Sequence, residues 1–305
     1  MTESVPAPQG ELNPLVAILD LEQVEQNIFR GQSRKTSWLR AFGGQVAAQA
    51  LIAAGRTVES ERRVHSLHSY FLRPGDSTRP IVYMVERSHD GRSFSTRRVT
   101  GVQGGQVIFT LSASFHVDEQ GLEHQVPAPV NVPPAEQLPT LAERLARAAD
   151  VPRSRYAQDN SREIELRWVD DPDDLGQPGQ ADERSPGQGR AVVGRDRQLV
   201  WMRAPGRVPD DPLLHICLLT YASDMTLLQA VLARHGLRMG QGVASMASLD
   251  HAIWFRGPVR ADEWFLYETT SPFAAGARGL ASGQFFDQQG HHLASVMQEG
   301  LVRLH

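Results

Sequence analysis

The sequence has one cysteine, Cys217, among 305 residues. A lone thiol excludes an internal disulfide framework and any cysteine-rich metal site. Cys217 stands in an apolar stretch, which makes it a packing residue. Positive charge is not in excess: 31 Lys and Arg against 35 Asp and Glu leave a net charge of −4. That balance argues against a nucleic-acid surface. No apolar run is expected to approach membrane-spanning length. The first residues, MTESVPAPQGELNP, lack the basic-then-apolar order of a signal peptide. The final LVRLH is not a Ser-Lys-Leu peroxisomal address. A cytoplasmic protein with a floppy tail over 1–14 is the expectation. With 41% hydrophobic and 22% charged residues the composition is globular, and the length allows two domains.

What is present centres on Pro209 to Arg234. Asp210, Asp211 and Pro212 read as a helix start, an acidic cap followed by a proline whose missing N–H costs nothing there. Leu213, Ile216, Cys217, Leu219 and Met225 follow, and apolar residues cover most of the circumference. Such a helix is buried on most sides. Yet Asp224 lies inside the run. A buried carboxylate is costly unless it is paired, hydrogen-bonded or used. On local grounds Asp224 either caps a second short helix beginning near Met225 or has a chemical task.

The rest of the chain falls into two similar halves. In the first, Leu15 to Phe29 has helical spacing. After Gly43-Gly44 an alanine-rich helix runs to Val58. Four strands in an antiparallel meander are expected next: His65 to Leu72, Pro80 to Ser88, Phe94 to Gln103 and Val107 to Val117, with turns such as Asp90-Gly91 between them. Gln125 to Gln158 is proline-rich and then amphipathic, a linker or bridge outside any core. Ile164 to Val169 and Gln198 to Ala204 read as strands around a surface loop, Asp170 to Gly189. The pattern then returns. The Pro212 helix is followed by strands at Ser245 to Phe255, Glu263 to Ser271, Gly276 to Phe286 and His292 to Val302. HSYFLRPGD from His68 echoes HAIWFRGPV from His251, and each half has a short basic stretch in its third strand. This reads as an internal duplication: a tail over 1–14, an N-terminal unit over 15–125, a linker over 126–160 and a C-terminal unit over 161–305. A helix buried on most sides needs a twisted sheet curled around it. Two such α+β units placed edge to edge leave apolar tunnels that suit an acyl chain.

Eight ordered motifs carry a resemblance: FRGQS from Phe29, FGGQV from Phe42, VHSLHSYFLRPGD from Val64, DGRSFSTRRV from Asp90, ASFH from Ala113, YASD from Tyr221, LDHAIWF from Leu249 and QEG from Gln298. Together they resemble the acyl-CoA thioesterase II family over nearly the whole chain, most weakly in Gln125 to Gly189. The resemblance implies a double hot-dog fold, no cofactor, an acyl-CoA substrate and a homodimer or homotetramer. It also implies a site in which an acid, a hydroxyl and an amide hold the attacking water. These roles fall on Asp224, Ser248 and Gln298, all from the second half. Serine stands where the family has threonine or serine, which keeps the hydroxyl. In the first half, His65, Ser66 and Ser69 occupy the strand and Ala113-Ser114-Phe115 replaces Gln-Glu-Gly. That half therefore reads as structural, its helix shaping the pocket.

The residue types suit the chemistry. A thioester carbonyl is electrophilic enough for direct attack by water, and of the three only Asp224 can serve as the base. Ser248 and Gln298 can hold the water through hydrogen bonds. Asp250 and His251 are adjacent on a strand and so face opposite sides; they are not a joint acid–histidine pair. His65 and His68 likewise point apart, against a metal site. Arg97, Arg98 and Arg278 are candidates for the phosphates of coenzyme A, against the commoner reading as solvated β-surface positions. Two other activities compete: a non-catalytic acyl-CoA sensor and an enoyl-CoA hydratase-like enzyme.

Overall fold

The structure is a computed structural model that describes residues 10–33, 40–147, 162–169, 196–237 and 243–304. The surface loop expected at Asp170 to Gly189 lies outside the described residues. Strands join into one antiparallel sheet, with the order β1-β2-β4-β5-β6-β3-β10-β13-β12-β11-β8-β7 and with β9 paired to β13. The numbers run from β1 (Glu22–Glu25) and β2 (Ile28–Gly31), through β3 (Arg62–Phe71), β4 (Ile81–Asp90), β5 (Phe94–Gln103) and β6 (Gln106–Val117), to β7 (Glu165–Trp168) and β8 (Arg197–Arg203). They close with β9 (Val243–Ser248), β10 (Asp250–Phe255), β11 (Phe265–Ala275), β12 (Arg278–Asp287) and β13 (His292–Leu304). The two halves meet where β3 pairs with β10, His251 opposite Ser69.

Several expectations need correction. The first helix, α1, covers only Pro14–Leu19. Asn13 caps it and Pro14 begins it, after which the polar Glu22–Glu25 and the following Ile28–Gly31 form a hairpin on the sheet's edge. Neither half is a plain meander. β3 crosses to the far side of β6, and β10 likewise lies beyond β13, so that both first strands meet at the centre. The single strand expected over Ser245 to Phe255 breaks at Leu249 into β9 and β10.

Two central helices lie side by side. Helix α2 (Gly43–Gly55) is rich in alanine, the best helix former, and eleven of its 13 residues are buried. After the short amphipathic α3 (Leu141–Arg147) comes α4 (Pro212–Thr226). The Asp211 carboxylate caps α4, accepting from the amides of Leu213 and Leu214, with Pro212 in the first turn. A short α5 (Gln229–Arg234) follows a break at Leu227-Leu228 and has no side-chain cap. Asp224 therefore lies within α4 and caps nothing.

Helices α2 and α4 run antiparallel. A Cβ on Gly44 would stand 2.5 Å from the Tyr221 carbonyl oxygen, and one on Gly55 would meet the Leu213 side chain at 2.4 Å. Glycine is what lets the helices approach this closely at both ends. One core spans both halves, from Leu15 and Leu51 through Cys217 to Val296.

A helical run of membrane-spanning length is present after all: Pro212–Arg234 has 23 residues, and its most apolar stretch has a mean hydropathy of 1.5. That stretch is 89% buried inside the protein, so its apolar surface goes into the core. The proline-rich stretch also differs from the expectation of a linker outside any core. Ala135 is buried with Trp201, Trp264 and Phe286 in a second cluster, and the Trp201 indole donates to the Pro133 carbonyl at 2.9 Å.

The helix contact makes a prediction. Gly44→Ala is expected to destabilise the protein by about 1–3 kcal/mol, the usual cost of overpacking, because its new methyl meets backbone that cannot rotate away. Gly55→Ala should cost less, since the Leu213 side chain can move. Urea unfolding of the two variants checks this, and wild-type stability for Gly44→Ala would show the helices free to part.

Candidate functional site

The end of α4 that faces the start of α2 carries the candidate acid. The Asp224 Oδ1 atom accepts from Ser248 Oγ at 3.1 Å and from Gln298 Nε2 at 2.9 Å. Gln298 Nε2 also donates to Ser248 Oγ in a short contact. The three residues assigned from the sequence are thus within hydrogen-bond reach of one another. Asp224 and Ser248 are partly exposed and Gln298 is buried.

Each comes from a different element. Asp224 comes from α4, Ser248 from the last position of β9 and Gln298 from the middle of β13. Strand β13 changes partner there: Ala294 to Met297 pair with β10, and Gly300 to Leu304 pair with β9. The break at Leu249 makes that change possible. The Leu249 amide bonds the Glu299 carbonyl at 2.9 Å, and the Asp250 carboxylate accepts from the Glu299 amide at 2.6 Å.

His251 belongs to this cluster too. Its Nδ1 lies 2.6 Å from Gln298 Oε1, and its Nε2 lies 2.8 Å from Ser223 Oγ. Asp250 is turned to the other face, as alternation requires, so the pair does not act jointly. The place of His251 here is not visible in the strand pattern of the sequence, where Ser245 to Phe255 reads as one strand. On an unbroken strand residues 248 and 251 face opposite sides. The break puts both beside Gln298. A signal was available: His251 recurs in the duplicated motif, one position beyond the Ala252–Met297 pair and so across from Gln298.

The first half contributes more than a wall. The backbone amide of Gly44 is hydrogen-bonded to the Asp224 carboxylate, and a Cβ on Gly43 would stand 2.6 Å from Asp224 Oδ2. Helix α2 has no side-chain cap, so its N-terminal amides and the positive end of its dipole meet the carboxylate instead. The rings of Phe42 and Phe71 flank the same end. Arg97 is already committed within the protein: it is 1% exposed, and its guanidinium is tied to Thr57, His89, Thr96 and Asp90. Arg278 pairs with Glu299 at 3.0 Å, and Arg98 is exposed.

Burial raises the Asp224 pKa above the ordinary carboxylate value, against the opposing pull of His251 and of the bonds from Gln298, Ser248 and Gly44. Burial lowers the His251 pKa, against the pull of Asp224 and Gln298. Both shifts favour the neutral form, because desolvation penalises charge of either sign.

A family profile described as acyl-CoA thioesterase matches residues 180–301, and one described as its N-terminal domain matches residues 34–116. Human acyl-coenzyme A thioesterase 8 is 36% identical over 97% of this chain and 92% of its own. Acyl-CoA thioesterase 2 of Haemophilus influenzae is 36% identical over 96% of this chain and 98% of its own. Among solved structures, the acyl-CoA thioesterase II TesB2 of Mycobacterium marinum is 43% identical, covers 95% of this chain and 98% of its own, and superposes with a TM-score of 0.74. A hot-dog protein of Alicyclobacillus acidocaldarius, 20% identical, covers 97% of this chain and all of its own with a TM-score of 0.72. It agrees in fold: two tandem α+β hot-dog units.

A carboxyl whose folded-state pKa is raised contributes stability that is present at low pH and is lost as pH rises through that pKa. The stability of Asp224→Asn minus that of wild type should therefore be flat in acid and grow as pH rises through the raised Asp224 pKa. The slope is at most about 1.4 kcal/mol per pH unit. Denaturant unfolding across that range tests it, and a difference independent of pH would contradict the shift.

Proposed function

The chain belongs to the acyl-CoA thioesterase family and is a thioester hydrolase, and we propose that Asp224 is its general base, with Ser248 and Gln298 holding the attacking water. The observation that carries this reading is the meeting of one carboxylate, one hydroxyl and one amide at a partly exposed point between two helices. Asp224 is the one member able to take a proton from water, and its raised pKa brings it nearer the pH at which a base works best.

The reaction runs as a direct hydrolysis. Water, held by Ser248 and Gln298, attacks the thioester carbonyl carbon as one of its protons passes to Asp224. The carbonyl oxygen takes up negative charge, which backbone amides at a helix N-terminus such as that of α2 can stabilise. Collapse of the tetrahedral intermediate breaks the C–S bond. The proton held by Asp224 passes to the departing sulfur, leaving a free acid and coenzyme A thiol. No covalent enzyme intermediate is required, and the buried Cys217, whose thiol pKa is pushed up by burial, has no part in it.

We further infer that the protein works as a homo-oligomer joined through its sheet. Support comes from Tyr70 and Trp254, exposed on the same outer face of β3 and β10.

Thiol release from acyl-CoA substrates of short to long chain, followed with a thiol dye, tests the activity and gives the chain-length profile. Asp224→Asn should fold and lose about 10²- to 10⁴-fold in kcat, the usual contribution of a positioned base. The wild-type rate should fall in acid as pH drops through a pKa above the ordinary carboxylate range. A folded Asp224→Asn protein with wild-type turnover would remove Asp224 as the base.

A further inference from the structure

Building on the reading of Asp224, Ser248 and Gln298 as the water-holding group, we infer that His251 is a positioning residue that fixes which way round the Gln298 amide stands. A glutamine amide has one accepting and one donating end of nearly equal size. Only one orientation offers N–H groups to Asp224 and Ser248. With the amide reversed, its oxygen would face the Asp224 carboxylate and could not donate to it. Ser248 alone cannot choose, because a hydroxyl both gives and accepts.

Asp224, which as a carboxylate only accepts, favours that orientation, and the other side of the amide fixes it. Gln298 Oε1 can only accept, and it lies 2.6 Å from His251 Nδ1, so Nδ1 must carry a proton. Burial disfavours a second one, which leaves Nε2 as an acceptor. Ser223 Oγ, 2.8 Å from Nε2, is placed to turn its O–H to that nitrogen. The same hydroxyl is also 2.8 Å from the Thr220 carbonyl, an acceptor already served within the helix. The backbone of His251 is held from the first half as well, where Ser69 Oγ donates to the His251 carbonyl at 2.9 Å. The chain of control thus runs from Ser223 on α4, through the tautomer of His251, to the amide of Gln298 and then to Asp224. His251 need touch neither substrate nor water to act this way.

The tautomer is read directly by nitrogen-15 NMR of the labelled full chain. Nδ1 should be protonated and Nε2 bare; a proton on Nε2 alone overturns the inference, whatever the kinetics show. Kinetics supply the second reading. His251→Leu, which has no donor, should lower kcat about 10-fold or more with KM little changed, the scale of losing one well-placed hydrogen bond. His251→Asn can present its amide N–H where Nδ1 stood and should recover most of that loss. Equal losses in folded Leu and Asn variants would reduce His251 to packing, and wild-type kcat in His251→Leu would overturn the role. Activity retained by Asp224→Asn would instead sink the proposed base, leaving the tautomer measurement to judge His251 by itself.

Discussion

A carboxylate set into a helix with apolar neighbours all round must find its partners elsewhere, and the arrangement around Asp224 follows from that need. Helix α4 supplies no side-chain partner for it among the described residues. The Gly44 amide arrives from α2, the Ser248 hydroxyl from β9 and the Gln298 amide from β13. These bonds do not cancel the cost of burial, since the Asp224 pKa stays raised. An acid left in that condition binds a proton more readily than an ordinary carboxylate, which is the property the proposed base requires. Full satisfaction by an arginine, by contrast, would have depressed the pKa and left a weak base.

Bringing four elements to one point depends on how closely the two central helices lie. Glycine at 44 removes the side chain that would strike the Tyr221 carbonyl, and glycine at 43 leaves room for the carboxylate itself. The two halves therefore share the work unequally. The second half provides the charged and polar side chains, and the first provides a helix N-terminus. Joining the halves through β3 and β10 keeps that helix end in register with the carboxylate. A separate second half would keep Ser248 and Gln298 but lose the Gly44 amide and the Ser69 bond to His251.

The repeated pattern, the buried helix and its interrupting carboxylate left local marks in the chain, whereas Ser248 and Gln298 entered only through the family resemblance. Apolar residues ran all round one helix, a carboxylate interrupted them, and motifs recurred in order. The strand order was not legible: each half places its first strand beyond its last, and alternation within a strand does not say which neighbour it takes. The hairpin at Glu22–Gly31 was hidden by apolar spacing that suits a helix as well as two short strands. The packing of Ala135 among tryptophans was hidden for a different reason. Proline-rich chain lacks periodicity, so its buried positions carry no pattern.

His251 was missed because of one residue. Strand periodicity is a strong rule only while the strand is unbroken, and Leu249 is where this one ends and another begins. Leu249 itself offers no warning, having neither the freedom of glycine nor the missing N–H of proline. What enforces the break lies elsewhere in the chain. Glu299 takes up both the Leu249 amide and the Asp250 carboxylate, so β13 leaves one partner and joins the next across a single residue. Ser248 and His251 are thereby turned to the same side, one against each end of the Gln298 amide. An unbroken strand could have presented the hydroxyl or the imidazole to that amide, but not both. The exchange of partners along β13 is therefore what allows a single glutamine to link the acid to a histidine that faces away from solvent.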